Sequence, residues 1–263
     1  MSSEELNPVV ATEVTHLEEL QKDADFRATM ASAAQSMDNA GVFNVLTGWP
    51  AVSILCNVPI MPDMTFLVPD DKVQEAIDAL VATLGYHRCV CPRCPELNED
   101  RCPDQQLAFN PVRFHTVGAV HFHTGTYRFP LTLYPMSKML WWLRDLNHES
   151  LYLTLASECE LAPWAGLYPV RVLKQRTFVE SLILCRCRDY GRNPRLDLLW
   201  DILLVLLIEP RVDLVDEFMP FWLAFTDPDK VHDTDALLCE LRDKLTTTDD
   251  GLPAHPAHCP GSG

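Results

Sequence analysis

Apolar side chains recur at helical spacing at both ends of the chain and at strand spacing between them. Val10, Val14, Leu17 and Leu20 form one stripe and Phe26, Met30, Ala33 and Met37 a second, so residues 1–40 predict two helices closed by Gly41. Val42-Phe43-Asn44-Val45-Leu46 then reads as a strand. Thr47-Gly48-Trp49-Pro50 follows, with Pro50 suited to the first turn of a short helix reaching Cys56. After a proline-flanked loop over 57–62, Met64–Val68 is a second β-type run closed by Pro69, with Asp70 placed as a helix cap. From Asp71 onward Val73, Ala76, Ile77, Leu80, Val81 and Leu84 line one helical face, and Gly85 supplies the terminator.

The period is lost over 86–111, a stretch rich in Cys, Pro and charge that reads as an insertion; loops of this length in a compact domain are usually functional or tied down. Residues 117–123 alternate, with Val120 and Phe122 on one face and His121 and His123 on the other, and 129–134 is a further strand after a turn at Gly125. From 135 the chain reads as helical, with Ser137 capping a helix that holds Met139, Leu140, Trp142 and Leu143, and further helices over 174–188, 197–208 and 235–245. The Pro- and Gly-rich residues 246–263 predict a disordered tail. The expected fold class is α+β: a small mixed sheet packed on helices, then a helical C-terminal region. The expected divisions are 1–40, 41–135 with the insertion 86–111, 136–245 and the tail 246–263.

Composition narrows the function. The 37 acidic residues outnumber the 21 Lys and Arg, for a formal charge of −16, which argues against general binding to a nucleic-acid backbone. With only 10 Gly, nothing resembles a P-loop or a dinucleotide fingerprint. The N-terminus lacks the basic start and apolar stretch of a signal peptide, and the apolar run 196–208 is broken by Asp197 and Asp201 and falls short of the roughly 20 residues that cross a bilayer. Cytoplasm or nucleus is expected, where the 10 cysteines pack as thiols or bind metal.

The order helix, strand, Thr47-Gly48, short helix, loop, then Asp63-Met64-Thr65-Phe66-Leu67-Val68-Pro69-Asp70 and a long amphipathic helix resembles the nucleotidyltransferase fold of the DNA polymerase β type. More narrowly, it looks like fungal nucleotidyltransferase-like proteins, over residues 41–134. In active members the first strand ends in Gly-Gly or Gly-Ser, the next carries Asp-x-Asp, whose carboxylates hold divalent metal ions, and a later strand adds a third carboxylate. Carried over residue by residue, Thr47-Gly48 keeps only the glycine, and bulky Trp49 stands where a small residue lets a triphosphate approach the backbone. Asp63 matches the first carboxylate; the second falls on Thr65, a neutral hydroxyl that cannot supply the charge two Mg²⁺ ions need. Neither candidate strand for the third contains Asp or Glu. The resemblance therefore implies a degenerate transferase with Asp63 as its retained match and Gly48 as a ligand-contacting turn.

Cys89, Cys91, Cys94 and Cys102 give the pattern C-x-C-x2-C-x7-C, with His87 just before it. Closely spaced thiolates on a proline-stiffened loop suit tetrahedral zinc, and His115, His121 and His123 can complete such a site from the next strand. A loop of reduced thiols without metal is the alternative, and His121 and His123 read equally as two histidines on a solvated or hydrogen-bonded face. The single basic stretch holds Arg186, Arg188 and Arg192, with Arg171, Lys174, Arg176 and Arg195 nearby. It is either a contact for phosphate or an acidic partner, through the bidentate guanidinium fork, or a helix face paired with Glu180, Asp189 and Asp197. Trp141 and Trp142 read as core packing. Three functions remain in view: a degenerate transferase-like module that binds a ligand or protein partner, an active divergent transferase using Mg²⁺, and a zinc-stabilised interaction domain without a nucleotide site.

Overall fold

A computed structural model of the chain describes residues 25–56, 64–90, 120–123, 131–143, 149–159, 164–208, 212–227, 229, 234–245, 247–248 and 251–256. Helix α1 (25–39) buries Phe26, Met30, Ala33 and Met37, the stripe that its sequence marks out. Strand β1 (Val45–Thr47) runs straight into α2 (Gly48–Cys56), with Gly48 at the junction in the left-handed region at φ 69°, a conformation that glycine adopts at little cost. Strand β2 (Met64–Val68) leads to α3 (Val73–Leu84), which Gly85 ends at φ 66°, its N–H donating to the Val81 carbonyl. The Ser36 hydroxyl donates to the Ala79 carbonyl at 3.0 Å and fastens α1 to α3.

Strands β3 (His87–Arg88), β4 (Val120–His123) and β5 (Leu131–Pro135) extend the sheet on one side, while α4 (Glu149–Tyr152), β6 (Leu153–Leu155) and β7 (Arg171–Leu173) build its other side. Among the described residues the sheet has seven strands in the order β3-β4-β5-β2-β1-β7-β6. It is mixed: β2 runs parallel to β5 and β1 parallel to β7, and the other pairs are antiparallel. The centre of one face is apolar, with Leu46, Met64, Phe66, Val68, Leu131 and Leu133 fully buried. This is the α+β architecture expected, a mixed sheet packed on helices with a helical region after it.

The C-terminal region consists of α5 (Gln175–Asp189), α6 (Pro194–Leu206), α7 (Met219–Phe225) and α8 (Thr234–Lys244). Helix α5 is its hub. It packs on α6 and α8, while α6 also reaches α2 beside the sheet. Because α5 is enclosed around most of its circumference, its polar side chains Glu180, Arg186 and Asp189 are buried as well as Phe178, Leu182 and Ile183, and each must find a partner there.

Three expectations are corrected. Strands β6 and β7 lie in the region read as helical throughout: three-residue strands carry too few alternations to register as a period, and β7 is held by its neighbours β1 and β6. Ser137 does not cap a helix over 139–143. A 3₁₀ turn (Met136–Lys138) stands there, and the Ser137 N–H and hydroxyl both donate to the Asp70 carboxylate, which therefore does not cap α3. Residues 247–248 and 251–256 are not a disordered tail. Thr247 pairs with Pro253 across a turn closed by Gly251 N–H to the Thr248 carbonyl, and Pro253 and His255 are buried against the body of the protein. Aromatic and carboxylate contacts hold this segment, and composition alone does not reveal them. The predicted helix over Val10 to Leu20 lies outside the described residues. Among those residues, no helix is long and apolar enough to cross a membrane.

Candidate functional site

The register of the sheet lines up a row of polar side chains. Thr47 pairs with Thr65, Thr65 with Thr132, and Thr132 with His121. The Cys89 N–H donates to the His121 carbonyl at 3.0 Å, which carries the β3–β4 pairing one residue beyond Arg88. In-register residues of adjacent strands point to the same face, so Thr47, Thr65, Thr132, His121 and Cys89 form one line across five strands. The three threonines and His121 are all buried. Over Thr47 lies Met139, whose sulfur accepts the threonine hydroxyl at 3.4 Å. Thr65 is the position where the resemblance calls for the second metal carboxylate, and Thr132, its neighbour on β5, lies on one of the two strands where a third is expected. Both are neutral and covered. Trp49 is half-buried at the start of α2, and Asp63 lies outside the described residues.

At the β3–β4 end of the row, Cys89, His121 and His123 bring their ligand atoms within 4.8 Å of one another. His121 and His123 are alternate residues of β4, and Cys89 is the cross-strand neighbour of His121, so strand alternation and one pairing assemble all three. The His121 ring is buried, and its Nε2 has no hydrogen-bond partner among the described residues. A buried nitrogen left without a partner is costly, and a metal ion would satisfy it. Burial, and to a lesser degree the charge of His123, pushes the His121 imidazole down to about 4, so at neutral pH it is the uncharged species that metals bind. Bonds of about 2.0–2.3 Å in a tetrahedron hold ligand atoms roughly 3.3–3.7 Å apart, so small side-chain rotations close the site. These residues can hold a metal.

Cys91, Cys94 and Cys102, the other thiols expected in a zinc site, lie outside the described residues. Cys185 and Cys187 on α5 are a different kind of thiol: burial pushes both up to about 12, and they pack as small apolar groups. Sequence reasoning put His121 and His123 on one strand face and offered them as ligands completing a site with the cysteines that include Cys89; it did not give the strand pairing that sets Cys89 beside His121. The available signal was the two-residue spacing of His87 and Cys89, which matches that of His121 and His123.

The arginines expected to meet a ligand are placed on and after α5. Arg186 is buried and binds Asp197 at 2.9 Å and Asp201 at 2.7 Å, with Asp235 at 3.8 Å and the Phe221 ring beneath it. Arg188 holds Asp189 through two bonds of 2.9 and 2.6 Å, donates to the Lys138 carbonyl and lies 4.9 Å over the Trp141 ring. Arg192 is exposed in the turn before α6. Arg171 clamps Asp38 at 2.8 and 2.9 Å beside the Tyr168 hydroxyl, tying β7 to α1. A half-open cavity of about 450 Å³ lies beside Arg186, bounded by Asp201, Val205, Phe225 and Asp235. The basic stretch is thus interleaved with the chain's own acids, and it is not adjacent to the Cys89, His121 and His123 cluster in the sheet order.

No protein-family model matches the chain, and no curated protein matches it. Among solved structures, an antigenic nucleotidyltransferase-like protein from Paracoccidioides brasiliensis is similar at a TM-score of 0.45 and 10% sequence identity, over 89% of this chain and 95% of that one.

Proposed function

We propose that this chain is a catalytically degenerate nucleotidyltransferase-like protein that acts as a ligand- or protein-binding module. The observation that carries the reading is the in-register pair of Thr65 and Thr132. In the resemblance, transfer requires clustered carboxylates to hold Mg²⁺ and neutralise the charge developing on the phosphate. Two adjacent buried hydroxyls at those places supply neither. Incubation with labelled ATP, GTP or CTP and Mg²⁺ is expected to give no nucleotide transfer to protein, RNA or small acceptors. Isothermal titration is expected to show any nucleotide affinity to be independent of Mg²⁺. Robust Mg²⁺-dependent transfer that vanishes in Asp63→Ala would overturn the proposal in favour of an active, divergent transferase.

The Cys89, His121 and His123 cluster favours a structural zinc at the sheet edge as part of the same reading. Zinc would cross-link β3 to β4 and satisfy the buried His121 nitrogen. Purified protein is expected to carry about one equivalent by elemental analysis, reduced in His121→Ala and His123→Ala, with a lower unfolding temperature after chelation. Metal-free protein with unchanged thermal stability in chelator counts against the zinc. Zinc binding without any nucleotide affinity would favour an interaction domain that has no nucleotide site.

A further inference from the structure

Residues 252–256, Leu-Pro-Ala-His-Pro, lie along a groove where the turn after β5 meets the helical region. The indole N–H of Trp141 donates to the Pro253 carbonyl at 2.8 Å. Two residues on, the His255 ring is stacked on Trp142 with centroids 4.3 Å apart, and the edge of Phe218 meets it at 5.4 Å. At the end of this aromatic slot the His255 Nε2 is 3.1 Å from the Glu180 carboxylate. Trp141 thus reads a backbone carbonyl next to a proline, and the slot reads a planar, nitrogen-bearing side chain.

The walls of the groove are held by groups other than its occupant. Glu180 accepts from Arg176 at 3.0 Å and from the Val215 N–H at 3.0 Å through the oxygen that His255 does not use. Trp141 has the Arg188 guanidinium over its ring, and Arg188 is itself fixed by Asp189. The occupant, by contrast, follows α8 through a turn. Its two prolines, Pro253 and Pro256, stand three residues apart, a spacing that stiffens a peptide before it binds and lowers the entropy lost on docking. An aromatic groove with an indole donor, a segment with two prolines and an acidic slot for one basic side chain make up a proline-peptide recognition surface.

We propose that the groove formed by Trp141, Trp142, Glu180 and Phe218 is a binding site for proline-rich segments of the Pro-x-His-Pro type in a partner protein, closed in cis by the chain's own residues 252–256. It does not depend on the threonine row or the metal cluster, which lie on the sheet. The cis segment competes at an effective concentration on the order of millimolar, so the groove is self-masked and opens to a partner that out-competes it.

The test uses the full chain and a fluorescent peptide, Leu-Pro-Ala-His-Pro-Ala, followed by anisotropy. In the Pro253→Gly/His255→Ala double variant the cis segment is weakened, and the peptide is expected to bind about tenfold or more tighter than to the wild-type chain. Replacing the peptide histidine by alanine, or adding Glu180→Gln to the variant, is expected to abolish most of that gain. A double variant with unchanged circular dichroism that fails to bind at millimolar peptide overturns the proposal, as does equal binding of the histidine and alanine peptides. Should the double variant unfold, the single variant His255→Ala supplies the answer: it empties the slot over Trp142, so the Trp142 indole resonance shifts saturably with the histidine peptide if the groove is a site, and an unmoved resonance at millimolar peptide overturns it. A wild-type dimer formed by exchange of tails between two copies also overturns it, because the groove would then serve self-assembly.

Discussion

Thr65 and Thr132 are where a single atom type decides the chemistry. Their hydroxyls sit in a buried row, Thr65 between Thr47 and Thr132, and Thr132 between Thr65 and His121. Placing a charge there tests how closed the row is. Thr65→Asp is expected to destabilise the protein by on the order of 3 kcal/mol near neutral pH, because an ionised carboxylate would be taken out of water at a buried position. Urea unfolding measures the loss, and Mg²⁺ is expected not to restore it. An aspartate tolerated at no cost, or rescued by Mg²⁺, would mean that the row opens to solvent and metal. At this scale the sequence was partly readable. Alternation along β4 put His121 and His123 together, and the neutral Thr65, where the resemblance expects an acid, was visible in the sequence. That Thr132 faces Thr65, and Cys89 faces His121, depends on strand pairing between residues far apart in sequence. The same limit applies to Arg186: its charge is plain, but its burial between Asp197 and Asp201 comes from helix packing that no local period encodes.

Elements with a long period or a strong terminus were legible, and short ones were not. Helix α3 follows its apolar face and stops at Gly85, while β6 and β7, three residues each, are strands because β1 offers an edge to β7 and β7 in turn offers one to β6. Helix α6 shows how much local chemistry can specify. Asn193 accepts the Leu196 N–H at 3.3 Å as its cap, and Pro194 follows at the first helical position, where its missing N–H costs nothing. This start turns the chain sharply after α5 and lets the two helices pack, bringing Asp197 to Arg186. Asn193→Ala is expected to lower unfolding free energy by about 1 kcal/mol in urea denaturation, since an orphan N–H loses its acceptor. Asn193→Asp should retain most of the stability, because a carboxylate also accepts and interacts favourably with the helix dipole. Equal loss in both variants would show that the Asn193 amide acts on something other than the helix start.

Across the described residues, the buried ionisable groups of α5 join the sheet side, the helices and the C-terminal segment. Glu180 is the point where these meet. Burial, the largest influence on it, pushes its carboxyl up, but the hydrogen bond and charge of His255, the Val215 N–H and Arg176 together outweigh burial and leave it below the ordinary glutamate range. A carboxyl whose folded value lies below its unfolded value stabilises the fold fully above the unfolded value, about 4.3, and loses that contribution as pH falls through the folded one. Asp201 works in the opposite sense. Burial raises it more than Arg186 lowers it, so its ionisation costs stability that protonation on acidification returns. The difference in urea midpoint between wild type and Glu180→Gln isolates the first contribution from the second. That difference is expected to shrink as pH falls below about 4.3, where the carboxyl takes up its proton first in the unfolded chain and, lower still, in the folded one. Because His255 and Pro253 belong to one segment, the same acidification should loosen the C-terminal tail, read as faster hydrogen exchange of the Trp141 indole N–H. A difference that persists unchanged to pH 3 would mean that Glu180 contributes through shape rather than charge, and the link between the tail and acid stability would fall with it.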